Sequence, residues 1–102
     1  DGIMIHSKSS EAKEIFDFSK KFRKSFENVP LVSVPTSYNK VNENELINNG
    51  FNVVIYANQM LRAAYPAMLN VANKILKHGR SKEVDKNLIS IKEILELIPG
   101  TK

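Results

Sequence analysis

Three polar groups, each directly behind an apolar run, carry the side chains that could do chemistry. They are His6-Ser7-Lys8 after Ile3-Met4-Ile5, Pro35-Thr36-Ser37-Tyr38 after Leu31-Val32-Ser33-Val34, and Asn58-Gln59 after the β-prone stretch 51–57. An imidazole at His6 can donate to an anionic substrate oxygen or shuttle a proton. The hydroxyls of Thr36 and Ser37 can hold a phosphate or carboxylate, and Asn58 offers a neutral carboxamide. Each residue also has a plain structural use. A strand-end histidine can bond a backbone carbonyl, the hydroxyls can close the next turn, and Asn58 can cap the helix that follows. Arg62, one turn further on, can pair with a carboxylate outside the segment or form a salt bridge between helices. His78 sits near a helix C-terminus, where a cation is favourable.

Other chemistries lack their residues. There is no cysteine, hence no disulfide, thiolate nucleophile or Cys-based zinc site. No G-x-G-x-x-G, P-loop or H-E-x-x-H motif occurs. The acidic residues fall on expected helices and polar connections, so a metal site built from this segment alone is not expected. No expected strand ends in Asp, which excludes a receiver-type phosphoacceptor.

The elements that must position these groups alternate. Ser9 or Ser10 can cap a helix with Ala12, Ile15, Phe18, Phe22 and Phe26 on its apolar face. Asn42 and Glu45 form a capping box for a short helix over 43–49, with Gly50 at the left-handed C-cap. Beyond the third strand, 59–65 can form a turn or two, and Pro66 suits the first turn of a new helix that stops near Gly79. Residues 79–87 read as a polar connection. Ser90 and Glu93 form a second capping box before a last helix ended by Pro99-Gly100. The order is β-α-β-α-β-α-α. Strands joined through helices pair in parallel by right-handed crossovers, and function then gathers at their C-terminal ends.

The chain has 102 residues, 42% hydrophobic and 25% charged, with a formal net charge of +4. That is a globular composition, not a disordered one. The basic excess is spread out except at Lys20-Lys21-Phe22-Arg23-Lys24, read as a solvated helix face without the aromatic platform of a nucleic-acid site. No apolar run approaches the ~20 residues of a membrane span, and nothing resembles a signal peptide. A cytoplasmic protein with no nucleic-acid or membrane partner is expected. A complete (β/α)8 barrel takes about 250 residues, so three strands opening abruptly at Asp1-Gly2 read as a fragment.

The segments 1–8, Val34-Pro35-Thr36-Ser37-Tyr38, Val54-Ile55-Tyr56-Ala57-Asn58, Leu61-Arg62-Ala63-Ala64-Tyr65-Pro66-Ala67-Met68, Ile91-Lys92-Glu93-Ile94 and Leu97-Ile98-Pro99-Gly100 closely resemble the phosphoenolpyruvate mutase family of the phosphoenolpyruvate mutase/isocitrate lyase superfamily. The resemblance implies an α/β fold: residues 1–102 as the C-terminal part of one (β/α)8 TIM barrel, with strands six to eight and a swapped-type C-terminal helical segment. It implies a magnesium-dependent interconversion of phosphoenolpyruvate and phosphonopyruvate, small-molecule substrates, as in phosphonate biosynthesis. It further implies a homo-oligomer with helix swapping. His6 matches the family histidine that holds the transferring group together with an arginine from the preceding strand. The expected site is His6 as catalytic residue, with His6, Ser7, Thr36 and Asn58 binding substrate and the Mg2+ ligands outside the segment. Gln59 stands where many relatives have histidine. The alternatives are a phosphonopyruvate hydrolase, a 2-oxo-acid carbon–carbon lyase of the superfamily, or a non-catalytic truncated assembly module.

Overall fold

The computed structural model describes residues 1–100. The chain divides into two compact units, Asp1–Gln59 and a second from Met60 onward.

The first unit has the element order β1 (Ile3–Ile5), α1 (Lys13–Arg23), β2 (Leu31–Ser33), α2 (Glu43–Asn48) and β3 (Val53–Val54). The strands form one sheet in the order β1-β2-β3, parallel throughout. Ile3, Met4 and Ile5 stand beside Leu31, Val32 and Ser33, and Val32 and Ser33 beside Val53 and Val54. Alternation along the strands therefore gives the sheet two faces. Ile5, Leu31, Ser33 and Val54 take the face covered by helices. They meet a core of Ala12, Ile15, Tyr38, Leu46 and Phe51, flanked by Phe16, Phe22 and Val41. Leu31 and Leu46 are fully buried, each contributing about 2 kcal/mol by removing its side chain from water. Met4, Val53 and Ile55 on the other face are exposed, Met4 at 64%. Strands of a parallel sheet normally need both faces covered.

The short β3 has a physical cause. Its ladder continues through Asn52 N–H to Leu31 O at 2.9 Å and Ile55 N–H to Ser33 O at 2.8 Å. Being an edge strand, it pairs on one side only, so the expected strand over 51–57 is regular for two residues.

The helix ends show where local signals were decisive. Asn42 and Glu45 form the expected reciprocal capping box of α2, and Gly50 takes φ +86° behind it. A Cβ there would lie 3.1 Å from Ser19 Oγ and 3.2 Å from Arg23 Cγ. By contrast, α1 starts later than Ser9 or Ser10 would place it. Its N-cap is Ala12, with no side-chain cap. Ser7 Oγ instead accepts from Ser9 N–H (3.0 Å) and Ser9 Oγ from Glu11 N–H (3.1 Å), two serine turns that engage the Ser7 and Ser9 hydroxyls before the helix begins.

Arg23 is not part of a solvated cationic face. It is half-buried, and its guanidinium donates to the carbonyls of Gly50, Phe26, Glu27 and Val29 and to Asn52 Oδ1.

In the second unit, α3 (Gln59–His78, counted from the last residue of the first) runs through Pro66 without a break. The flanking residues are strong helix formers, and the one backbone bond that proline forfeits leaves a single carbonyl on an exposed helix. A 3-10 helix occupies Lys82–Asn87 where a polar connection was expected. It is tied by Arg80–Glu83 at 2.7 Å and Lys82–Asp85 at 3.4 Å, around Val84, which is buried. Ser90 and Glu93 form the second capping box, starting α4 (Ile91–Glu96). Neither α3 nor α4 contains a buried residue.

Candidate functional site

The C-terminal ends of the three strands lie side by side, with Ile5, Ser33 and Val54 in register. At about 4.8 Å per strand step, the outer two ends stand roughly 10 Å apart. The segments carrying His6, Thr36 and Asn58 all leave from this edge.

The carbonyl of Val34 organises the middle of it. It accepts Thr36 N–H at 2.8 Å, a three-residue turn suited to the fixed φ of Pro35. It also accepts a hydrogen bond from His6 Nδ1 at 3.2 Å. His6 is exposed, and its ring centroid lies 6.4 Å from that of Tyr38. Tyr38 is wholly buried with its hydroxyl 3.1 Å from Ser33 Oγ, so the loop behind β2 is pinned to the helix-covered side of the sheet.

The four expected site residues differ in what remains available. His6 uses one ring nitrogen on Val34 and keeps Nε2 without a partner among the described residues. Ser7 is buried; its hydroxyl donates to Glu14 Oε2 at 2.5 Å and accepts from Ser9 N–H. Its side chain is committed to the approach to α1. Thr36 is half-buried, and its hydroxyl makes no hydrogen bond among the described residues. Asn58 donates its backbone N–H to Gln59 Oε1 at 3.2 Å. Its Oδ1 is buried and accepts nothing among the described residues, so the side chain is not serving as a helix cap. Arg62 is exposed, without an ion pair among the described residues.

Two contacts near the site were not foreseen from the sequence. Glu14 meets Ser7 from seven residues away, across a non-helical stretch that no spacing rule covers. Tyr56 donates its hydroxyl to Glu43 Oε1 at 2.8 Å, linking the segment after β3 to the start of α2. That hydrogen bond holds the Tyr56 phenol above the usual tyrosine range, with desolvation and the carboxylate charge acting the same way. Strand alternation was the available signal, since Tyr56 shares parity with Val54.

The described residues contain no group of three His, Cys, Asp or Glu that could hold a metal ion. The strand-end set supplies imidazole, hydroxyl and carboxamide, whereas magnesium takes carboxylate, phosphate and water oxygens. These residues therefore do not fit a magnesium site. No described helix is long and apolar enough to cross a membrane.

A parallel sheet with its helices on one face and a histidine at a strand end is the architecture of a (β/α)8 enzyme segment, and comparison with known proteins agrees. The family model described as phosphoenolpyruvate phosphomutase matches residues 1–76. The chain belongs to the phosphoenolpyruvate phosphomutase family. A phosphonopyruvate hydrolase from Variovorax sp. (strain Pal2) is 40% identical over 98 residues, which cover 95% of this chain and 33% of the relative. The crystal structure of a phosphoenolpyruvate phosphomutase from Streptomyces platensis subsp. rosaceus superposes with TM-score 0.83 at 31% identity, covering 95% of this chain and 33% of that one. A phosphonopyruvate hydrolase structure in complex with oxalate and Mg2+ gives TM-score 0.76 at 40% identity, again over 95% of this chain and 34% of the other. The chain thus spans about a third of the length of these relatives, and its fold is part of their TIM barrel.

Proposed function

We propose that this chain is the C-terminal portion, strands six to eight and the helices after them, of an enzyme that makes or breaks the carbon–phosphorus bond of phosphonopyruvate. The first reading is the mutase reaction, interconverting phosphonopyruvate and phosphoenolpyruvate. It is supported by the phosphomutase family match over 1–76. A second reading, hydrolysis to pyruvate and phosphate, is favoured by the 40% identity to a phosphonopyruvate hydrolase against 31% to the phosphomutase. The lyase reading gains no support from these relatives.

The observation that carries both is the exposed His6 at the end of β1, with Nε2 unused and beside the in-register ends of β2 and β3. Phosphoryl transfer passes through a loosely bonded transition state that spreads negative charge over its oxygens, so fixed donors do most of the stabilising. His6 is the catalytic donor to the transferring group. Thr36 presents a free hydroxyl to the same region, and Asn58 binds substrate by its carboxamide. Ser7, whose hydroxyl is held by Glu14, serves the substrate by fixing the backbone that presents His6. Magnesium, when bound, neutralises charge on the substrate; its ligands lie on the rest of the barrel. The unburied α3 and α4 fit a cytoplasmic homo-oligomer in which helices are exchanged between subunits.

The test is phosphorus NMR on the full-length enzyme with phosphonopyruvate and Mg2+. Phosphoenolpyruvate as product establishes the mutase, and inorganic phosphate the hydrolase. Neither product would overturn the proposal. His6→Ala should lower turnover by at least about 100-fold while the protein stays folded; near-normal turnover removes His6 from the mechanism.

A further inference from the structure

The hydrogen bond between His6 and Val34 has a chemical direction. A carbonyl oxygen can only accept, so His6 Nδ1 must carry the hydrogen that reaches Val34 O at 3.2 Å. In the neutral ring that leaves Nε2 as a bare lone pair. A bare lone pair repels an anionic oxygen, and Nε2 can donate only after the ring gains a second proton. We infer that the Val34 carbonyl fixes the tautomer of His6, and that the site consequently takes up a proton on Nε2 when it binds the doubly charged phosphonate end of its substrate. This rests on the proposed substrate class for the ligand, but not for the tautomer.

Among the described residues, the titratable groups of the neighbouring segments make no hydrogen bond or ion pair to His6 that would hold that proton beforehand. On its own segment is Lys8. Glu14, in the first turn of α1, is engaged by Ser7. On the loop behind β2 are Tyr38, whose hydroxyl meets Ser33, and Lys40. On the segment after β3, Tyr56 is bonded to Glu43 of α2. Lys8 and Lys40 have no ion pair among the described residues. The negative charge of the ligand must draw the proton from solvent. The balance is one proton per ligand bound: it leaves water or buffer and ends on Nε2, and no bond in the ligand changes.

The same geometry separates what two amide substitutes can replace. A glutamine amide reaches to about where Nε2 lies and donates without protonation; an asparagine amide reaches only to the Nδ1 position and can replace the bond to Val34 but not the one to substrate.

The experiment is nitrogen-15 NMR of the histidine rings in the full-length enzyme with Mg2+. The His6 signals are assigned by their loss in His6→Gln, and the ligand is 3-phosphonopropionate. This probe keeps the carboxylate and phosphonate but has no 2-oxo group to react. At a pH where the free enzyme shows a neutral His6 ring, Nδ1 should carry the proton. On saturation Nε2 should become protonated as well. Oxalate, which has no phosphonate, should leave the ring neutral. Above the second ionisation of the phosphonate, affinity should fall up to about tenfold per pH unit, and His6→Gln should remove that slope while His6→Asn binds more weakly at every pH. A free ring protonated on Nε2, or a bound ring still bare at Nε2, would overturn the inference. Turnover of phosphonopyruvate with either of those results leaves the proposed function standing. A Nδ1–H ring in an enzyme that neither turns over phosphonopyruvate nor binds the probe refutes the proposed substrate and the proton uptake, and leaves only the tautomer.

Discussion

Arg23 and Gly50 are joined twice: Nε at 3.0 Å and Nη2 at 2.6 Å both donate to the Gly50 carbonyl. The pair closes the end of the sheet opposite the candidate site. Arg23 Nη1 reaches the Phe26, Glu27 and Val29 carbonyls of the turn into β2, while Nη2 also reaches Asn52 Oδ1, which in turn accepts Leu31 N–H at 2.9 Å. One planar guanidinium thus sets the entry of both β2 and β3. Lysine keeps the charge but has no fork. Arg23→Lys in the full-length protein should cost about 2 kcal/mol of stability, read as a lower denaturation midpoint, with turnover per folded molecule unchanged. A midpoint within error of wild type would show that solvent replaces the clamp freely.

Arg23 also marks what the sequence could and could not convey. Within Lys20-Lys21-Phe22-Arg23-Lys24 it reads as one cation among several, because its partners are backbone carbonyls that leave no trace in composition. Readings tied to local geometry were legible: the Asn42/Glu45 and Ser90/Glu93 boxes, Gly50, and the parallel order of the strands. At the strand ends, position alone singled out His6, Thr36 and Asn58 as candidates. The engagement of Ser7 with Glu14, and of Tyr56 with Glu43, depends on how loops fold over the sheet, which periodicity does not encode. The length of β3 and the continuity of α3 through Pro66 failed for a related reason. Each depends on neighbours, or on their absence, and not on the residues of the element itself.

Beneath the site, Ser33 and Tyr38 form a buried pair of hydroxyls 3.1 Å apart. Each satisfies the other where water cannot reach. Tyr38→Phe should therefore cost about 1–2 kcal/mol, because Ser33 is left unpaired, and Ser33→Ala should cost a comparable amount. The double variant should lose less than the sum, since removing both partners leaves nothing unsatisfied. Strict additivity in a denaturation double-mutant cycle would mean that the two hydroxyls do not interact.

The Tyr56–Glu43 contact makes an alkaline prediction. Bonding to Glu43 raises the phenol's ionisation above its ordinary value of 10.0. In the window between those two values the folded state holds a proton that the unfolded state has released, so stability falls as pH rises. The contribution is intact below about pH 10 and is lost once the folded phenol ionises. Tyr56→Phe should flatten this part of the stability profile, because it removes the contribution already at neutral pH and has nothing left to lose as the pH rises. The measurement is the thermal midpoint of both proteins from pH 8 to 11; parallel curves would assign the alkaline loss to other groups.

Asn58 offers the sharpest separation of structure from function. Its Oδ1 is buried and accepts no hydrogen bond among the described residues, although a buried unpaired acceptor costs about 1–3 kcal/mol. Were the side chain a helix cap, Asn58→Ala would cost about 1 kcal/mol. A carboxamide kept for substrate, its Nδ2 donating to the anionic ligand, predicts the reverse pattern: Asn58→Ala removes the unpaired Oδ1 and leaves the free enzyme as stable as wild type or more so, while KM for phosphonopyruvate rises about tenfold. Asn58→Asp should be worse than alanine for binding, because it sets a carboxylate against an anionic ligand. Denaturation and steady-state kinetics on the same full-length preparations decide it. A destabilised Asn58→Ala enzyme with normal KM would place this residue in the scaffold and remove it from the site.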